Sequence, residues 1–345
     1  MATVERIDEG VAPDGKPAYS WLLKTKSAEA QILSWGATLT KLKTPDRNGK
    51  LGHVVLGFEK AQSYFKPHPY MGSTIGRFAN RIKDGRISID GTSIQLSQND
   101  SKNHLHGGSE GFHNCSWNGE YSVSDQEATV ILTHKSPDGS QGYPGDLNST
   151  IIYSLHEDGA LTISFHSNTN KSTVVSMTNH SYFNLSDGSE DHIRDHQLKL
   201  HCQLYTPSDK QGIPTGETQK TNGSHLDFST LRPFPKPDSK LLQYDNNMII
   251  DGEFGSLRPA ARITHPKSGR CIDIETSKPC LQLYTGQYIN PSLKGHHQEE
   301  LKPNHGFCIE AQHVPNAPNQ QKLPDAILRP GEQYQETVRL SFSLI

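Results

Sequence analysis

Short runs in which apolar and polar side chains alternate recur from one end of the chain to the other, and no apolar face at helical spacing persists beyond a few turns. Ala30-Gln31-Ile32-Leu33-Ser34-Trp35, Thr150-Ile151-Ile152-Tyr153-Ser154-Leu155 and Cys271-Ile272-Asp273-Ile274-Glu275-Thr276 are examples. Successive side chains of a strand point to opposite faces, so this period builds sheets with one face on a core and the other toward solvent. Asn48-Gly49 and Asp90-Gly91 fall between such runs and predict hairpin turns, because both dipeptides take positive φ readily. The pattern predicts an all-β, antiparallel protein, and residues 1–345 are expected to form one domain, since sheet proteins of this length often do.

Composition narrows the class of ligand. The chain carries a net charge of −3 with no long basic or acidic block, so neither nucleic acid nor a membrane is an expected partner. A small neutral molecule fits better. Met1-Ala2-Thr3-Val4-Glu5-Arg6 is not followed by the apolar run of a secretory signal, and the expectation is a soluble, cytoplasmic, monomeric protein. Its 5 cysteines are scattered and odd in number, which predicts free buried thiols rather than disulfides or a zinc knuckle.

Three polar stretches stand out against this background. Val174-Val175-Ser176-Met177-Thr178-Asn179-His180 reads as a strand whose alternate positions would place His180 on one face with Ser176 and Thr178. A histidine held on such an element can move a proton near neutral pH. In Gly76-Arg77-Phe78-Ala79-Asn80-Arg81-Ile82 two arginines flank small and apolar residues, so either could brace loops or face a cleft. Asn103-His104-Leu105-His106-Gly107-Gly108 sets two histidines on one face of an extended chain, with glycines that permit close approach. That spacing also suits a metal, with His180 and Glu310 as further ligands, although 18 histidines make chance matches easy. Glu310 ends a short apolar strand, Asp245 precedes another, and 295–300 reads as a solvated polar insertion.

Taken together, these stretches resemble the aldose 1-epimerases, or galactose mutarotases. The resemblance is carried by the Gly76–Ile82 and Asn103–Gly108 segments, Gly142-Tyr143-Pro144-Gly145, Thr178-Asn179-His180-Ser181-Tyr182-Phe183-Asn184-Leu185, Gln282-Leu283-Tyr284-Thr285-Gly286 and Gly306-Phe307-Cys308-Ile309-Glu310, in the family's order across nearly the whole chain. It implies a large antiparallel β-sandwich that interconverts the α and β anomers of free aldohexoses such as glucose and galactose, with no metal and no cofactor. By that resemblance His180 would be the general acid at the ring oxygen and Glu310 the general base at the anomeric hydroxyl. His106 would hold the region between them, and Asn80, Arg81, Tyr182, Asp245 and Gln282 would bind hydroxyls. Ala311 stands where the family often has Thr, and His104 occupies a variable place.

Ring opening takes a proton from one oxygen and gives one to another without redox change, which is why an acid and a base suffice. The acid role asks for a protonated His180, and a carboxylate nearby, Asp245 or Glu310, is expected to favour it. Other readings use the same residues. A glycosidase would employ Asp245 and Glu310 as its carboxyl pair, a phosphosugar enzyme would need several cations, and a sugar-binding protein would need no chemistry at all.

Overall fold

The computed structural model describes residues 1–234, 243–320, 324 and 326–345. Among them the only helical elements are three-residue 3₁₀ turns, and no helix is long and apolar enough to cross a membrane. Three antiparallel sheets carry the architecture. A nine-stranded sheet runs in the order Asn118–Val123, Glu127–Ser136, Leu147–His156, Leu161–Thr169, Tyr334–Leu344, Arg270–Thr276, Arg258–Thr264, Gln197–Leu200 and Arg232–Pro233. The first five strands of the chain, from Thr3–Val11 to Leu51–His53, form a meander. The third sheet is Gln219–Lys220, Leu204–Thr206, Asp245–Ile249, Cys280–Tyr284 and Cys308–Gln312.

The alternation seen in the sequence decides what lies inside. In Leu147–His156 the odd-numbered residues Leu147, Ser149, Ile151, Tyr153 and Leu155 are buried while their neighbours are partly or fully exposed. Leu147, Ile151, Tyr153 and Leu155 join Trp21, Ile32 and Leu39 of the meander and Leu281 and Leu283 of the third sheet in one apolar cluster. Trp21 lies so close to Gly119 that a Cβ there would come within 2.1 Å of the indole, so only glycine lets meander and large sheet meet. Asp90 and Gly91, at φ 50° and 80°, make the tight turn expected between Arg86–Ile89 and Thr92–Gln95.

Two local expectations are corrected. The 174–180 stretch is not one strand: Thr173–Val174 and Thr178–Asn179 are two-residue pieces, with Ser176 between them bridging to Phe78 in parallel. Leu204–Thr206 pairs with Asp245–Ile249, so Pro207 follows the end of a strand and takes no part in the ladder. The 295–300 segment is not simply solvated, since the His296 ring stacks on His53 with centroids 3.8 Å apart.

Arg77 is a brace. It is only 2% exposed and donates to the Ser136 and Pro137 carbonyls at 2.9 Å each, the Pro144 carbonyl at 3.1 Å and Ser136 Oγ at 3.0 Å. An uncharged replacement strands these acceptors out of water. Arg77→Met is therefore expected to destabilise the fold by about 3 kcal/mol or more, read as a lower urea midpoint at unchanged slope. A midpoint equal to that of the natural protein would show that the loops close without it.

Candidate active site

The register of the third sheet assembles half of the site. Gln282 lies opposite Glu310 on one side and Asn247 on the other, and Tyr284 lies opposite Asp245 and Cys308. Paired residues share a face, and so do residues two apart, so Asp245, Gln282, Tyr284, Cys308 and Glu310 all project to the same side. Asp245 is thus the first residue of a strand rather than the residue before one. Gln282 Nε2 donates to Asp245 Oδ1 at 2.6 Å and ties the two side chains together.

The other half comes from irregular backbone. His180 follows the strand Thr178–Asn179, and its main chain is held by Ser73 and Gly72, with N–H and C=O each in a 2.9 Å bond. Small hydroxyls are not what surrounds its ring. Tyr182, His106 and Tyr70 lie with ring centroids 5.0, 5.4 and 5.7 Å from it, and Cys308 Sγ is 3.5 Å from Nδ1. Tyr70, Asn80 and His106 all have left-handed backbone, at φ 55°, 66° and 52°. For tyrosine and histidine that conformation costs of order 1–3 kcal/mol each, and it persists where the surroundings impose it.

His106 shows how the local fold sets chemistry. The Asn80 N–H donates to His106 Nδ1 at 3.2 Å, and the His106 N–H donates to the Asn80 carbonyl at 3.1 Å. An accepting Nδ1 puts the proton of a neutral imidazole on Nε2, making it a donor. Burial keeps the ring neutral by pushing it well below the usual histidine range. The left-handed turn at His106 also separates it from His104, which was expected on the same face. His104 is fully buried, with Nε2 2.6 Å from Tyr143 Oη and Nδ1 2.7 Å from the Ser97 carbonyl.

His180, Glu310 and His106 line one cavity with Asn80 and Arg81, and Tyr182, Asp245 and Gln282 line the same cavity. His180 Nε2 and Glu310 Oε2 are 3.6 Å apart, with 4% and 2% of the two residues exposed. Glu310 Oε2 has no hydrogen-bond partner, which leaves a buried acceptor facing the cavity. Arg81 lies at the rim, its Nε donating to Asp100 Oδ2 at 2.8 Å. Tyr182 Oη donates to the Pro69 carbonyl at 2.9 Å, so the cavity meets mainly its ring. Tyr70, Tyr284 and the 73% exposed Tyr288 also line the cavity, and sequence reasoning assigned none of them a role. Their signal was aromatic residues beside the polar motifs; flat rings suit the apolar faces of a small polar ligand.

Electrostatics overturn the expectation of an imidazolium. Burial lowers His180 to about 3, and the carboxylate beside it does not compensate. Burial, then the charge of Asp245, raises Glu310 to about 8 against the pull of Arg81. Between those values the pair holds one proton, resting on Glu310 in the unliganded site. His106, His180 and Glu310 offer donor atoms within 4.8 Å of one another, close enough for a cation. The chemistry fits proton transfer better, because the Nε2 of His106 already carries a proton and Arg81 supplies positive charge.

Residues 19–341 match the aldose 1-epimerase family. The chain is 36% identical to human galactose mutarotase over the full length of both and 31% identical to Escherichia coli aldose 1-epimerase over 96% of this chain and 97% of that one. Among solved structures, an aldose epimerase homologue from C. elegans superposes with a TM-score of 0.87 at 28% identity, and galactose 1-epimerase from Lactobacillus acidophilus with 0.86 at 26%. The first covers 100% of both chains, and the second 100% of this chain and 99% of its own. The large antiparallel sandwich, the order of the motifs and these full-length similarities lead to one conclusion: the chain belongs to the aldose 1-epimerase family.

Proposed function

We propose that the protein interconverts the α and β anomers of free aldohexoses, glucose and galactose among them, with Glu310 as general base and His180 as general acid. The observation that carries this is the buried imidazole and carboxylate, 3.6 Å apart in one cavity walled by aromatic rings and polar side chains. Glu310 takes the proton of the anomeric hydroxyl while His180 protonates the ring oxygen, and the C–O bond of the ring breaks. Rotation about the bond to the new carbonyl carbon presents its other face. Closure reverses both transfers.

The direction of the pKa shifts bears on rate. Once the ring is open, Glu310 carries the proton and His180 is neutral, the same distribution that burial favours in the unliganded pair. Burial thus drives proton transfer forward from the charged pair, at the cost of making that pair the minor form of the unliganded site. The Nε2–H of His106 is free to donate to oxygen charge that develops between the two groups. Asp245, Gln282, Asn80 and Arg81 hold the remaining hydroxyls, and the tyrosine rings cover the sugar's apolar faces.

Fresh α-D-galactose followed by polarimetry should equilibrate much faster with enzyme than in buffer. Rotation changing at the buffer rate, with galactose binding detected by calorimetry, would make this a binding protein. Arg81 is the one lysine or arginine among the described residues lining the cavity, and it is already paired with Asp100, which disfavours a phosphorylated sugar.

A pH prediction follows from Asp245. Activity requires the single proton of the His180–Glu310 pair, so kcat/KM is expected to fall as pH rises through the value near 8 held by Glu310. Asp245 helps raise that value, so Asp245→Asn should move the basic limb to lower pH while weakening sugar binding. A limb that stays in place or moves up would mean that another group sets it.

A further inference from the structure

A second set of titratable groups, none of them lining the cavity, takes no part in proton transfer. Lys278 has no exposed surface, and its Nζ pairs with Glu336 Oε2 and donates to Tyr334 Oη at 3.1 Å and to the Met177 carbonyl at 2.7 Å. Tyr334 Oη donates to Glu336 and accepts the N–H of Met177 at 3.0 Å, so all its hydrogen-bonding capacity is used. Glu336 Oε1 takes the His313 ring at Nε2, 2.9 Å away. The His313 N–H in turn donates to Ser176 Oγ at 3.1 Å. Burying an ammonium and a carboxylate in the core is costly, and well-packed apolar residues often serve stability as well or better.

The cluster touches the chain at two telling places. Met177 stands three residues before His180, and His313 three residues after Glu310. Lys278 and Tyr334 together hold both the C=O and the N–H of Met177. Through Glu336 and His313 the same charges hold the end of the strand Cys308–Gln312. Lys278 itself precedes the strand Cys280–Tyr284, which lies beside the strand of Glu310 in the sheet.

We propose that Lys278, Glu336 and Tyr334 are positioning residues for anomer interconversion: their buried bonds lock the segment carrying His180 to the strand carrying Glu310 and so set the separation across which the proton pair works. Burial of the charges raises the strength of each bond, and the branching geometry leaves neither segment free to slide past the other. A misplacement on the order of 1 Å between acid and base can cost about 10²-fold in rate without touching binding. This rests on the acid and base roles proposed above. If the natural protein leaves galactose at the buffer rate, those roles fail; the positioning claim is judged only in a protein that turns over.

The test separates placement from folding. Tyr334→Phe removes only a hydroxyl, and the paired variant Lys278→Met with Glu336→Gln removes both charges at similar volume. For each, kcat and KM would be measured by polarimetry, together with the Kd of 1-deoxygalactose, which binds but cannot open. The expected result is kcat lowered about tenfold or more at a KM and Kd within about threefold of the natural protein. A kcat within about twofold, in either variant that binds 1-deoxygalactose normally, overturns the proposal. If the paired variant does not fold, Tyr334→Phe alone decides by the same criterion. Restoring a hydrogen-bonding side chain at His313, as His313→Gln, should retain more turnover than His313→Ala, whereas equal loss in both would also count against it.

Discussion

Glu310→Gln is expected to lower kcat by about 10²- to 10⁴-fold, the usual contribution of one positioned base, with KM and the near-UV circular dichroism little changed. Glutamine keeps the shape of the side chain but cannot accept the anomeric proton. The site is prepared for the loss of charge, because burial already favours the uncharged acid at neutral pH. The replacement should therefore leave the fold as stable or more so: a carboxyl raised from the usual range to about 8 weakens the folded state as pH climbs from the unfolded value toward 8. Glutamine removes that penalty. Polarimetry and thermal melting on the same preparation check both halves, and a variant that retains kcat within about tenfold would remove Glu310 from the base role.

His180→Asn is expected to cost a similar ~10²- to 10⁴-fold and, more tellingly, to invert the pH dependence. In the natural protein the pair keeps its single proton between about 3 and about 8 and loses it above, so activity falls on the alkaline side. Without the imidazole, any residual turnover depends on ionised Glu310 with water as the acid. It should then rise with pH through the Glu310 value instead of falling. Adding Glu310→Gln to His180→Asn should cost far less than the product of the single effects, since the two groups act as one proton-transfer unit. The same falling alkaline limb in natural protein and variant would separate His180 from the proton inventory.

Local signals carried much of the fold. Asp90-Gly91 specifies its hairpin because few dipeptides accept two positive φ values, and the alternation in 147–156 predicts which face is buried. Pairing at a distance was hidden. Tyr334–Leu344 inserts between Leu161–Thr169 and Arg270–Thr276, a position set by packing of whole faces that no property of the strand itself announces. The site divided in the same way. Motifs brought out His180, Glu310 and their polar neighbours, but residue type could not tell Arg77, a brace sealed in the core, from Arg81 at the rim of the cavity. The two arginines differ only in burial and partners. The protonation of His180 is hidden for the same reason: a carboxylate nearby is foreseeable from the motifs, whereas burial outweighs it once Tyr70 and His106, far from His180 in the chain, close over the ring.

The left-handed backbone at Tyr70, Asn80 and His106 sets durability against turnover. Glycine would relax each of these positions at once, and in a sequence selected for heat resistance alone Tyr70 and His106 would be early candidates for exchange. Such an exchange would also remove a ring that encloses the imidazole or the donor that faces the cavity. The protein keeps a tenser, more easily melted corner where a looser and hardier one was sterically available, because only the tense one points those side chains inward.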